Sequence, residues 1–313
     1  MTLVRNSLAI ALATAFCVAL APLAQADAVD IPSLVTGARG PDSWASAQYL
    51  HQFETDIDDT PAEMSRDSLQ LIAGHRFQMA DDLFLVGNAA YQGSYYDFSN
   101  GGGPAQLVWN DIHQLTLMLG FGWTASEKWS FLAFALGRTS GEGGADFGET
   151  LTGGGGVAID YKWNENLSTG AIFGVISQLE DSAAVVPIPT VDWRFAEGWR
   201  FRFGLVGLAY PGIGPEVSYR ADDWEVAMGW SYQKRRYRLE NHSGLANEGI
   251  GQERSFPMFV RVGYAATDKL SLGMMLGTTV GGEIRSEQNG GARIFEKDYD
   301  PAFNLGFQVG YQF

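Results

Sequence analysis

From Phe303 to the C-terminus, apolar and polar residues alternate without a break. Phe303, Leu305, Phe307, Val309, Tyr311 and Phe313 fall on one face, and Asn304, Gly306, Gln308, Gly310 and Gln312 on the other. A period of two belongs to an extended strand whose faces meet different surroundings. The same alternation sets Leu115, Leu117, Leu119, Phe121 and Trp123 against Gln114, Thr116, Gly120 and Thr124. It also sets Trp224, Val226, Met228, Trp230 and Tyr232 against Glu225, Ala227, Gly229, Ser231 and Gln233. An apolar face recurs on nearly every such segment from Trp44 onward, with no helix to cover it. A soluble sandwich would hide one face of each sheet in a core. Lipid around a closed barrel satisfies both the apolar exterior and the sheet edges.

The turns carry a second regularity. A short acidic turn followed by Leu or Trp recurs at Ala80-Asp81-Asp82-Leu83, Ser126-Glu127-Lys128-Trp129, Asn164-Glu165-Asn166-Leu167, Ala196-Glu197-Gly198-Trp199, Ala221-Asp222-Asp223-Trp224 and Thr267-Asp268-Lys269-Leu270. Asp, Asn and Gly tolerate left-handed backbone and bond their own main chain, which suits tight turns. Longer polar stretches lie between them, at 99–110, 139–150, 178–187, 209–214, 241–252 and 286–298. Short turns alternating with long loops predict periplasmic turns and outer loops. The layout predicts an all-β, up-and-down antiparallel transmembrane barrel of about fourteen strands, with twelve as the alternative count. Phe77, Trp123, Trp129, Trp163, Phe195, Trp199, Tyr219, Trp224, Tyr264, Tyr311 and Phe313 lie near the turn ends. Tyr95, Tyr96, Trp109, Tyr237, Phe256 and Tyr299 lie toward the other end. Two aromatic bands are expected at two lipid–water interfaces.

The chain ends agree. Arg5, the apolar stretch Leu8–Ala21 and the small residues Ala24 and Ala26 around Gln25 read as a signal peptide over 1–26, leaving a barrel domain over 27–313. Cys17 is the sole cysteine and lies inside that leader, so the mature chain is expected to hold no disulfide. Tyr311 and the terminal Phe313 form an aromatic C-terminal signal for the barrel-assembly machinery. The chain carries a net charge of −15, one unit more negative without Arg5. That charge argues against nucleic acid as a partner.

Candidate chemistry sits on the polar faces. A tight turn at Ala196-Glu197-Gly198 predicts Asp192 opposite Arg202 and Arg194 opposite Arg200, and the next hairpin sets Arg220 opposite Glu225 with Glu216 close by. These seven residues form an expected lumen charge ladder, either a selecting constriction or a structural network that pins register. His51, His75, His113 and His242 show no metal-ligand spacing, so neither metal nor cofactor is expected. His242-Ser243 suggests a lipid-modifying enzyme, but neighbours along a strand point to opposite faces and make poor catalytic partners. Asp56-x-Asp58-Asp59 lacks the glycine and distal Glu of a calcium loop. The acidic loops are read as solvated, meeting lipopolysaccharide and other outer-membrane lipids. Gly153–Gly156 lacks the lysine of a phosphate loop and is read as a lumen-side or bulged strand.

Val191-Asp192-Trp193-Arg194-Phe195-Ala196-Glu197-Gly198-Trp199, Gly214-Pro215-Glu216-Val217-Ser218-Tyr219-Arg220 and Arg236-Tyr237-Arg238-Leu239 together resemble a family of uncharacterised proteobacterial outer-membrane barrels. The resemblance implies an outer-membrane location in a Gram-negative bacterium and a barrel fold, with no activity or site to carry over. Barrels of this strand number include pores and fatty-acid channels, and the few residues between Asp27 and the first strand leave no room for an N-terminal plug of the fatty-acid type. The leading expectation is a non-enzymatic, passive pore or transport-type channel for small solutes. The alternative is a closed structural or interaction barrel with acidic outer loops, and a lipid-modifying enzyme is the third reading.

Overall fold

The computed structural model describes residues 43–99, 109–206, 212–241 and 248–313. Positions 1–42, including Ala24 and Ala26, lie outside the described residues, as do His242 and Ser243. The strands are β1 (Ser43–Asp56), β2 (Glu63–Gln78), β3 (Leu83–Ser99), β4 (Asp111–Thr124), β5 (Trp129–Glu142), β6 (Leu151–Asn164), β7 (Leu167–Gln178) and β8 (Asp181–Ala196). They continue with β9 (Trp199–Val206), β10 (Gly212–Ala221), β11 (Trp224–Trp230), β12 (Gln233–Arg238), β13 (Ile250–Ala265), β14 (Leu270–Glu287), β15 (Arg293–Tyr299) and β16 (Ala302–Gln312).

Neighbours pair antiparallel from β1 to β11. Then β11 pairs β13, β13 pairs β14, β14 pairs β16, and β16 returns to β1 from Trp44↔Gln312 to Gln52↔Asn304. The ring closes with fourteen members, the number the sequence predicts. β12 and β15 are not further staves. β12 prolongs β11 along β13 beyond an interruption at Ser231–Tyr232, and β15 leads into β16 along β14.

The period of two becomes an inside and an outside. Leu115, Leu117, Leu119, Phe121 and Trp123 are exposed on the outer face of β4, while Asn304 and Gln308 of β16 are buried within. All six acidic turns join the strand pairs expected of them. Gly198 adopts φ +74 and Asp222 φ +51, the left-handed backbone those turns require.

The loop expectations need correction. Segment 178–187 is a tight turn at Leu179–Glu180 followed by the start of β8, and β10 already begins at Gly212. The prolines of 185–189 blur the strand boundary in the sequence, yet Pro187 and Pro189 sit inside β8, paired with Phe173 and Ala171 of β7. Arg194 donates its amide to Asn166 on the β7 side. Amides alternate sides along a strand, so odd positions of β8 point toward β9. Among the described residues β8 pairs β9 only between Val191 and Ala196, so both prolines lack a donor where none is used. Gly153–Gly156 is also regular strand, paired with β5 throughout and with β7 from Gly154 to Gly156, without a bulge.

The inside differs most from expectation. Of the six outer-end aromatics, Tyr95 and Phe256 face outward, but Tyr96, Trp109, Tyr237 and Tyr299 are buried. They join Ile57, Met64, Ile112, Leu239 and Ile284 in an apolar cluster within the outer mouth. A second interior cluster, of Trp44, Phe84, Val86, Leu132, Ala158, Ile172 and Ile188, fills part of the barrel below. Phe84 lies flat on its cross-strand partner Gly122, where any Cβ would overlap its ring. The lumen is therefore partly packed, not uniformly polar.

Candidate functional site

Above Trp230 the chain leaves the wall. Among the described residues β9 and β10 are short and β12 has no full-height neighbour on the β10 side; Ile213↔Tyr232 is the last bridge described there. Continuing the outward face of Trp224, Val226, Met228 and Trp230 would present Tyr232, Lys234, Arg236 and Arg238 to the membrane. Basic side chains facing lipid cost up to about 2–4 kcal/mol each near the bilayer centre and less at its edge. Instead, the β12–β13 ribbon folds inward across the mouth. Arg238 pairs with Gly141 of β5, and the Ser140 hydroxyl donates to the Arg236 carbonyl at 3.0 Å.

The ribbon is fastened by ions on both faces. On one, Glu253 of β13 is fully enclosed and takes two bonds from Arg66 of β2, at 2.6 and 2.7 Å. Arg235 of β12 also bonds it, and the hydroxyls of Tyr96 and Tyr299 donate to it at 2.6 and 3.0 Å. On the other, Arg236 meets Glu287 at 3.0 Å and donates to the Leu179 carbonyl at 3.2 Å, and Arg238 meets Glu180. Every lone pair of Glu253 is thus addressed from β2, β3, β12 and β15. One sign of this latch is visible in the residues themselves, basic side chains continuing an apolar face.

The seven ladder residues lie toward the short-turn end of the barrel, away from the ribbon. Asp192 and Arg202 are register partners, but Asp192 forms its ion pair with Arg200. The expected facing of Arg194 and Arg200 is corrected: the register slips between Trp193 and Ala196, and Arg194 sits in that irregular step with its side chain exposed. Arg202 pairs with Glu216, and Arg220 stands opposite Glu225 at 3.7 Å. Arg261 of β13, which the sequence reading did not single out, joins the two halves, 3.3 Å from Glu216 and 2.9 Å from Glu225. Burial grades along the row. Glu216 is almost fully enclosed, whereas the Arg220 side chain is 46% exposed toward the turn end.

His51 and His113 gain partners invisible in the sequence. His51 Nδ1 lies 2.9 Å from Asp67 and His113 Nε2 lies 2.9 Å from Asp111, on the outward face beside Tyr49 and Tyr91. With Tyr95 they form a polar belt near the outer rim, the position given to the now buried aromatics. In the outer turn, burial and the neighbouring Asp300, Asp298 and Asp59 push the Asp58 carboxyl up. No group of side chains suited to a metal is present among the described residues.

A family model described as a domain of unknown function, DUF6268, matches residues 84–313. The chain belongs to that family. No curated protein matches the DUF6268 chain. Among solved structures, a mutant of the TodX monoaromatic hydrocarbon channel shares 9% identity over 90% of this chain and 93% of its own, with a TM-score of 0.50. An outer-membrane channel from Pseudomonas putida F1 shares 14% over 92% and 100%, at 0.46. The KdgM porin shares 9% over 86% and 99%, at 0.37. At such identities the likeness is one of fold. The DUF6268 chain is a fourteen-stranded barrel of the outer-membrane kind, and its structural neighbours are channels and porins.

Proposed function

We propose that this barrel is a passive outer-membrane channel for small solutes, described here with its outer mouth shut. The observation that supports the reading most is the kind of closure. The cap is a ribbon of the wall itself, held over the mouth by charged groups that water can compete for once the ribbon lifts. Below it, one wall carries the ladder from Asp192 to Arg220, whose member nearest the short turns is half open to solvent. Charged rows of this kind select ions by their field at close quarters. The assembly machinery, lipopolysaccharide and outer-membrane lipids complete the proposed setting.

Single-channel recording in planar bilayers tests the reading. The native protein is expected to open rarely. Glu253→Gln, which weakens the bonds of both Arg66 and Arg235, is expected to open often. Silence from both, with folded barrel demonstrated in the membrane, would refute a channel. The closed-barrel alternative draws on the interior apolar clusters, and it expects Glu253→Gln to lower thermal stability without adding conductance.

A further inference from the structure

Arginines inside this barrel come with partners. Arg66, Arg200, Arg202, Arg235, Arg236 and Arg261 each rest on a carboxylate. Arg138 of β5 does not. It is half-buried on the lumen side, the register partner of Thr116 on β4 and of Thr152 on β6. Among the described residues no carboxylate, hydroxyl, carbonyl or ring meets its guanidinium. From this unmatched cation we propose that the lumen takes up a small monocarboxylate, with Arg138 as the residue that recognises it.

An arginine set among neutral side chains gives up hydration without gaining a counter-charge, and such a charge is costly to hold. A structural role would show contacts: an acid across the strand, a carbonyl bracketed, a ring covered. Only its Nε is packed away. The two terminal nitrogens, equally without partners, keep open surface. They form the free end of a planar fork that fits the two oxygens of a carboxylate. The hydroxyl of Thr116 beside it also has no partner and offers a further donor. One positive charge among neutral neighbours balances one negative charge, which favours a monoanion. The next lumen-facing positions of β5 toward the short turn are Leu136, Phe134 and Leu132. Leu132 belongs to the second interior cluster and Phe134 packs against it, so a short apolar tail finds a surface below the charged end. In the other direction lies Ser140, whose hydroxyl holds the ribbon through the Arg236 carbonyl. A solute passing the lifted ribbon on that side meets Arg138 one inward-facing step below Ser140.

The inference deepens the channel reading and rests on it for its purpose, while binding can be measured without transport. Saturation-transfer NMR and thermal unfolding of the full-length protein, in non-ionic detergent and carboxylate-free buffer, would compare acetate with acetamide. The two have nearly the same shape and differ in charge. Acetate should bind tighter by about tenfold or more, and should raise the unfolding temperature of the native protein. Chloride at the same concentration should displace little of it. Arg138→Gln should bring acetate down to the level of acetamide and abolish the thermal shift, and Arg138→Lys should fall between. Arg293→Gln, at a largely exposed position of β15, should change nothing. The comparison on native protein decides the matter even if the Arg138 variants fail to fold. Equal binding of acetate and acetamide, the mark of a merely hydrated arginine, would overturn the proposal. So would full displacement by chloride, or acetate binding that survives Arg138→Gln. Acetate binding to a barrel that never conducts would instead sink the channel reading and leave the site standing.

Discussion

Arg202 and Arg220 lie in the same row, and their surroundings predict different responses to one substitution. Arg202 faces Glu216, which is almost fully enclosed and also held by Arg261. Arg202→Glu places a second acid beside it with little water to screen the pair. Breaking a buried charge network by removing a partner costs about 3–5 kcal/mol, so thermal unfolding in detergent should shift sharply downward. Arg220 is half exposed and 3.7 Å from Glu225, which is itself buried but stays held by Arg261 at 2.9 Å. Arg220→Glu should therefore lower the unfolding temperature less than Arg202→Glu while moving the reversal potential in a salt gradient toward cations. Equal melting of the two variants would show that burial does not grade along the row. The row itself was legible because each hairpin is local: a tight turn fixes which side chains face. Arg261 was not, because β11 pairs β13 across a segment whose course no local pattern sets. Arg194 was misplaced for a related reason, since a one-residue slip moves a side chain off its expected partner.

At the scale of elements, period and turn chemistry carried the strands and the short turns, both of which depend on a few neighbouring residues. They failed where an element's place depends on the height of another. Pro187 fell within an expected loop because the low described wall of β9 beside it leaves no trace in its own sequence. β12 read as wall because its alternation persists, although its outward positions have become basic. The paired heights make a topology prediction. Single cysteines at Glu127, Glu197 and Asp268 should resist impermeant thiol reagents on whole cells, whereas cysteines at Gly144 and Asn289 should react. Labelling of the short-turn set would invert the barrel. A cysteine at Tyr237 adds a reading specific to the cap: it should stay unlabelled while the ribbon is folded in and react once Glu253→Gln is introduced.

For the whole molecule, closure depends on the last strand. β16 pairs β14 on one side and β1 on the other, so the ring has no free edge only when the C-terminus is seated. The Phe313 amide donates to the Ser43 carbonyl at 3.0 Å, and its ring meets Tyr311 edge-on at 5.0 Å. Deleting Phe313 should reduce heat-modifiable barrel in the outer membrane and leave periplasmic precursor to be degraded, while Gln312→Ser, a change on the lumen side, should be tolerated. Normal levels of folded protein without Phe313 would count against a terminal assembly signal. Closed topology was legible from repetition over the entire chain; the content of the lumen was not, because polar and small residues on an inner face do not say what folds in against them.

The cap is continuous with β11 and β13 and turns inward at Ser231–Tyr232, where β10 ends beside it. On the channel reading proposed above, it would work as a flap valve and not as a cork. A cork must be expelled or unfolded before anything passes, and it can be lost. A flap stays attached and swings about its root; this one keeps β13 laddered to β14 from Ile250↔Glu287 to Arg254↔Glu283, so the outer half of β14 moves with it while the contacts to β2, β3 and β5 are exchanged. The ionic contacts at its tip, around Glu253, Arg236 and Arg238, are side-chain contacts and can be altered by substitution while the β13–β14 ladder is kept.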